Sequence, residues 1–175
     1  MNVRRAAADD FDAIADLWRQ FDHEIPPPTH EGPADVEKEL GEVREIIASE
    51  FAFVAEDDGT PVGFALARRR APGFGTLTDL YVVRDARRSG IGTELMRQVL
   101  GALRDVGIEQ LDLDVQASNS VARSLYARWG LKDDVVVMTG AVSALEEKLG
   151  SQESASFGSI HIQSDDLSAV EQAVR

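Results

Sequence analysis

Residues 76–106 constrain the fold of this chain more than any other stretch. Thr76 to Val83 is a β-branched and aromatic run of strand length. It leads into Arg87-Arg88-Ser89-Gly90-Ile91-Gly92, and from there Ile91, Leu95, Val99 and Leu103, thickened by Met96, Leu100 and Val106, recur at helical spacing. A strand, then glycines, then a long buried helix predicts a turn where the backbone comes close to a ligand. The free N–H groups of the first helical turn, at the positive end of the helix dipole, then form an anion cradle suited to a pyrophosphate. Two other phosphate-binding turns do not fit. A dinucleotide-binding Gly-x-Gly-x-x-Gly turn needs a third glycine where Leu95 stands, although Asp112 falls near the offset of its usual acidic partner. A Gly-x-x-x-x-Gly-Lys-Ser/Thr loop does not occur.

The flanking sequence extends this unit in both directions. Leu111, Leu113 and Val115 alternate with Asp112, Asp114 and Gln116 as a strand, so strand, helix and strand predict a parallel crossover. Gly107 caps the helix before it, and Ala122, Leu125 and Trp129 mark another helix closed by Gly130. Upstream, Asn2 to Arg5 reads as a short strand, and Phe11, Ile14, Trp18, Phe21 and Ile25 as an amphipathic helix ended by Pro26-Pro27-Pro28. Val36, Leu40, Val43 and Ile47 mark a second helix. Phe51 to Glu56 and Pro61 to Arg69 form a hairpin across Asp57-Asp58-Gly59, and Gly75 is expected to turn the chain before Thr76. Downstream, Val135 to Thr139 is a predicted strand and Val142 to Leu149 a short helix. A polar linker, a strand candidate at Ser159 to Gln163, and an apolar stripe of Leu167, Val170 and Val174 follow. The expected organisation is one α/β domain over 1–149 with a linker plus strand-helix extension over 150–175.

Composition removes several function classes. A length of 175 residues suits one domain, and the absence of cysteine excludes disulfides, thiolate metal sites and cysteine nucleophiles. Lys and Arg number 18 against 31 Asp and Glu, a net charge of −13, which argues against nucleic acid and anionic membrane as partners. No apolar run approaches the ~20 residues a bilayer crossing requires. Ala8-Asp9-Asp10 interrupts the place where a signal peptide would be apolar, so a cytoplasmic location is expected. His23, His30 and His161 are too scattered to form a metal set, and no metal is expected. The charge is uneven: residues 1–58 carry 5 basic and 16 acidic side chains, residues 59–108 carry 8 and 4. One reading is an acidic solvated surface; the other is a positive site for an anionic cofactor beside a negative vestibule for a cationic substrate.

Arg87, Gly90 and Gly92, the preceding strand Leu77 to Val83, Asn119 after the next strand, and Leu125-Tyr126-x-x-x-Gly130 occur in a fixed order. In this order the chain resembles the GNAT superfamily of coenzyme A-dependent N-acetyltransferases, within it the small-molecule amine acetyltransferases of the diamine and polyamine type. Those enzymes tend to carry a Glu-Asp pair where this chain has Thr78-Asp79. The resemblance implies a GNAT acyl-CoA N-acyltransferase fold, a central mixed sheet with helices on both faces. It implies acetyl-CoA as co-substrate, bound by Arg87, Arg88, Ser89, Gly90, Ile91, Gly92 and Thr93, by the backbone of Leu80, Tyr81 and Val82, and by Asn119. It further implies direct acetyl transfer to a primary amine of a small cationic acceptor, with Tyr126 protonating the departing thiolate. A protein N-terminus or lysine is the alternative acceptor, and a non-catalytic CoA-binding regulatory module the alternative role.

Several residues keep two readings at this stage. Tyr126 is either a core aromatic or the general acid. Asp79 is either a substrate carboxylate or general base, or a strand residue paired with an arginine. Asp22 and Glu24, with Glu31, flank the proline loop that in similar folds borders the acceptor pocket, where they would select a cation. Arg68-Arg69-Arg70 is either a solvated strand end or a steering patch for the nucleotide 3′-phosphate. The extension over 150–175 either completes its own sheet, exchanges with a second subunit to make a homodimer, or is a loose appendage.

Overall fold

The computed structural model describes residues 1–25, 35–49 and 51–150. It separates into two compact units, 1–132 and 133–175, the second described only as far as residue 150.

The first unit is built on one five-stranded sheet in the order β1 (Asn2–Arg5), β2 (Phe51–Asp57), β3 (Thr60–Ala71), β4 (Phe74–Val82) and β5 (Gln110–Asp112). The first three pairings are antiparallel, and β5 joins β4 in parallel. A parallel neighbour needs a crossover, and α3 (Ile91–Asp105) supplies it. On one face the sheet is covered by α3. Phe51, Phe53, Ala65, Leu77, Leu95 and Val99 meet there. On the other lie α1 (Phe11–Glu24) and α2 (Val36–Ser49), whose Ile14, Trp18, Val43 and Ile46 pack on Ala52, Val54, Phe64 and Leu66. β2 is therefore covered on both faces. That explains why Phe51 to Ala55 is a continuous apolar run, all five residues buried, rather than an alternating one.

The mixed sheet with helices on both faces is the expected architecture, with three local differences. Gly75 does not make the turn before β4. The turn is at Pro72-Gly73, where Gly73 has φ +77°. Gly75 lies inside the strand, and a Cβ there would sit 3.1 Å from Leu103 Cδ2 and 3.3 Å from Ile108 Cγ2, so its smallness lets α3 close on the sheet. The strand expected over Leu111–Val115 is regular only at Gln110–Asp112. The strand expected over Val135–Thr139 does not form. Those residues are irregular, with Val135 80% and Met138 90% exposed. β-branched residues favour a pleated, half-buried surface, and no strand among the described residues pairs with these, so their propensity alone does not make a strand. In the same unit α5 (Val142–Gly150) forms as expected from the spacing. The 150–156 linker beyond Gly150, the strand candidate Ser159 to Gln163, and Leu167, Val170 and Val174 lie outside the described residues, as do the proline loop, Glu31, His30 and His161.

Candidate active site

Between β4 and α3 the chain makes a short 3-10 turn, Arg84–Ala86, then runs extended through Arg87. Arg88 (φ +63°) and Gly90 (φ +91°) both take the left-handed conformation, and Gly90 caps α3. Ile91 plugs its side chain into the α3 core, 3% exposed, which fixes the first turn of the helix. The Arg87 and Glu94 N–H groups bond back to Arg84 and Gly90. Among the described residues, the N–H groups of Arg88 through Thr93 find no protein acceptor. Unpaired N–H groups at a helix N-terminus suit an anion. Gly92 leaves the surface of this cradle bare, since a Cβ there would meet only Val82 Cγ2, at 4.0 Å. The donor set and the bare floor fit a pyrophosphate.

The cradle continues along an open strand edge. β4 pairs with β5 only from Phe74 to Thr76, after which the two strands part. Asp112 braces the last pair, accepting from Thr76 Oγ1 at 2.6 Å and from the Arg70 guanidinium. Val83 N–H donates to Val62 on β3. Backbone alternation therefore turns the N–H groups of Leu80 and Val82 to the open side. Upstream, Thr78 is an extra residue in β4: Leu66 opposes Asp79 while Ala67 opposes Leu77. Its Oγ1 donates to Leu66 O at 3.2 Å. This bulge switches the side-chain alternation. Leu77, Leu80 and Val82 pack toward α3, and Asp79 and Tyr81 turn toward α1 and α2.

Asp79 consequently sits half-buried, accepting a hydrogen bond from Trp18 Nε1 on α1 at 3.2 Å. Burial pushes its carboxyl up to about 6, against hydrogen bonds from Thr78 and Trp18 that hold it down; Glu39 and Glu42 on α2 add to the rise. An arginine partner for Asp79, one of the two sequence readings, is not among its described contacts. Because the folded protein binds this proton more readily than the unfolded chain, the contribution to stability is present below about pH 4 and lost as pH rises through about 6. The expected outcome is that Asp79→Asn flattens the fall in stability between pH 4 and 6, measured by denaturant unfolding across that range.

Asn119 caps α4 (Ser120–Arg128), its Oδ1 accepting from Ala122 N–H at 3.1 Å. Two turns on, Tyr126 is half-buried, its ring 5.8 Å from that of Trp129, and burial pushes its phenol above the usual tyrosine value. Its hydroxyl has no protein partner among the described residues, so the proton it carries is free for other chemistry. The end of α4 is a Schellman cap. Leu131 N–H bonds Tyr126 O, Gly130 N–H bonds Ala127 O, and Gly130 takes φ +96°. An alanine at Gly130 must adopt the left-handed region at a cost of about 1 kcal/mol. Gly130→Ala is therefore expected to lower unfolding stability by that amount and to loosen the turn that holds Tyr126, measured by chemical denaturation.

The substrate-side candidates separate. Asp22 lies in the last turn of α1, partly exposed. Glu24 is engaged: Oε1 accepts from Tyr81 Oη at 2.8 Å, and Oε2 from Arg87 Nη2 at 2.6 Å. Arg87 turns away from the cradle floor, its Nε donating to Val82 O at 2.8 Å. Tyr81 is 4% exposed and packs on Phe21 and Phe64, and by the same alternation its backbone faces β3, so of the three strand residues expected to meet the cofactor only Leu80 and Val82 turn their N–H groups to the open edge. Arg68 pairs with Glu42 at 3.6 Å and Arg70 with Asp112, which favours the solvated strand end over a steering patch. Trp18 as the donor to Asp79, and Glu24 as the partner of Arg87, were not read from the sequence. In the sequence Trp18 reads only as part of the apolar stripe of α1. A glutamate at the C-terminal turn of a helix, where the dipole disfavours it, is a readable sign that a cation lies near. Among the described residues no group of three His, Cys, Asp or Glu is arranged to hold a metal ion, and no helix is long and apolar enough to cross a membrane.

The profile of the Acetyltransferase (GNAT) family matches residues 12–131. The N-terminal acetyltransferase complex ARD1 subunit homolog of Dictyostelium discoideum is 44% identical over 79 residues, 43% of this chain and 39% of that protein. The N-alpha-acetyltransferase of Sulfurisphaera tokodaii is 34% identical over 93 residues, 46% of this chain and 56% of its own. The chain thus spans about half the length, or less, of these relatives. Among solved structures, AAC(6')-Iy in complex with the bisubstrate analog CoA-S-monomethyl-acetylneamine superposes with a TM-score of 0.63 at 19% identity. It covers 80% of this chain and 96% of that one, a likeness of fold.

Proposed function

The chain belongs to the acetyltransferase (GNAT) family, and from that premise we propose that it transfers an acetyl group from acetyl-CoA to a primary amine of a small cationic acceptor. The observation that carries the reading is the run of unpaired N–H groups from Arg88 to Thr93, which continues into the open edge of β4 at Leu80 and Val82. Arg87 through Thr93 would hold the pyrophosphate, and Asn119 the pantetheine arm. When bound, acetyl-CoA supplies an activated acyl carbonyl and a thiolate leaving group. The N–H groups of Leu80 and Val82 would hold the negative charge developing on that carbonyl oxygen. The Tyr126 hydroxyl gives its proton to the departing sulfur, and no covalent enzyme intermediate is needed. Asp79, with a carboxyl titrating near 6, takes the proton from an incoming ammonium or holds a second cationic group.

The acceptor class rests on charge. Asp79, Glu39 and Glu42 make the α2 side of β4 acidic, and Asp22 adds to the end of α1. A cationic amine is attracted there, and salt screens the attraction. Asp79→Asn is expected to raise the KM of a diamine more than that of a neutral amine, and added salt is expected to do the same in the wild type. A preference for neutral or anionic acceptors overturns the reading. A second acceptor, the α-amino group of a protein, is favoured by the 44% identity to the ARD1 subunit homolog. Free CoA release across a panel of diamines, an aminoglycoside and short peptides with free N-termini separates the two. Turnover with diamines supports the proposal, and turnover with peptides alone replaces it. Release above the uncatalysed rate with neither leaves a CoA-binding module.

A further inference from the structure

The three polar groups of Glu24, Tyr81 and Arg87 come from α1, β4 and the loop before α3, and they close on one carboxylate. Both Glu24 oxygens are used, one by Tyr81 Oη and one by Arg87 Nη2. The Arg87 side chain is further tied by Nε to Val82 O and lies over the Tyr81 ring, its guanidinium carbon 5.5 Å from the centroid. A carboxylate in the last turn of a helix is opposed by the helix dipole. Its place is stabilised by the guanidinium, and Arg87 and Tyr81 together hold the Glu24 carboxyl below the usual range. An arginine side chain 41% exposed at the start of a loop would otherwise sample many rotamers. Here one rotamer is selected, and it ties the start of the 87–93 loop to α1 and to β4.

We infer that Glu24 is a positioning residue for the cofactor loop, tethering Arg87 to the end of α1 and so holding in place the turn that presents the N–H groups of residues 88–93. This rests on the proposed function, since it needs the loop to bind the anionic end of coenzyme A. It assigns Glu24 to the cofactor rather than to the acceptor. A carboxylate with both oxygens occupied by Tyr81 and Arg87 has little left to offer an amine.

The experiment measures CoA affinity by calorimetry and separate KM values for acetyl-CoA and for a diamine, in Glu24→Gln, Arg87→Gln, the double variant and Tyr81→Phe. Glu24→Gln is expected to weaken CoA binding about tenfold, the scale of one long side chain's rotamer freedom. The KM for acetyl-CoA should rise with it and the KM for the diamine stay unchanged. In the Arg87→Gln background the Glu24 substitution should add nothing. Tyr81→Phe, which keeps the charge and the ring, should weaken CoA binding in the same direction by less. Additive effects, tighter CoA binding in Glu24→Gln, or a rise in the diamine KM alone would overturn the inference. A wild type that binds no CoA would overturn the proposed function and the inference with it. CoA binding by the wild type with no change in Glu24→Gln overturns the inference alone.

Discussion

Replacing Tyr126 with phenylalanine is expected to lower kcat by about 10²- to 10⁴-fold, the range over which a positioned general acid acts. The substitution removes one hydroxyl and leaves the ring against Trp129, 5.8 Å between centroids. CoA affinity should therefore be retained, because the N–H groups of residues 88–93 and the open β4 edge are untouched. Burial raises the pKa of this phenol, so it remains protonated through neutral pH and can donate. The measurement is steady-state turnover with separate determination of CoA affinity. Full activity in the phenylalanine variant would make Tyr126 a packing residue and leave water to protonate the thiolate.

The second large effect concerns the cradle. A ligand at a hundred times its dissociation constant stabilises the folded state by about 2.7 kcal/mol. Gly92→Val is expected to abolish that stabilisation by CoA, measured as a thermal shift. The ligand-free protein should keep its stability to within about 1 kcal/mol, since valine replaces glycine in a helix that tolerates it and its Cβ meets only Val82 Cγ2, at 4.0 Å. Gly90 is the weaker test. Its φ of +91° makes any side chain strained in the backbone itself, so a lost shift there mixes folding with binding. Equal CoA-induced shifts in wild type and Gly92→Val would remove the cradle from the site.

The parts of the fold legible in the sequence are those in which one local signal has one physical cause. The stripe from Phe11 to Phe21 gave α1, the run from Phe51 to Ala55 gave a strand buried on both faces, and Gly107 and Gly130 stand at positive φ just past α3 and α4. The Arg87 to Gly92 turn was legible for the same reason, since glycine spacing, a preceding strand and a following helix all specify one geometry. Features that depend on a partner distant in sequence were not. The shift of the β3–β4 turn to Gly73 follows from α3 closing over Gly75, a contact across some thirty residues. The bulge at Thr78 decides which face Asp79 occupies, and a pattern of period two cannot reveal an extra residue. The pairing of Glu24 with Arg87 joins residues far apart along the chain, and composition alone placed them on opposite sides of the site. Val135 to Met138 have the composition of a strand, but among the described residues no strand pairs with them.

The short contact between β4 and β5 sets how the molecule opens. β2 to β4 form a meander of successive antiparallel neighbours, held by long ladders and covered on both faces, so their amides belong to the slowest class of hydrogen exchange. β5 is held by three residue pairs, and α4 beyond it buries no residue fully. Opening of this segment costs only part of the global unfolding free energy, so it forms a separate cooperative unit that exchanges by local unfolding while the meander stays closed. Asn119 and Tyr126 both ride on that unit. A ligand that bridges it to the loop before α3 would slow exchange in β5 and α4 selectively, which makes amide protection of those few residues a reporter of cofactor binding independent of turnover.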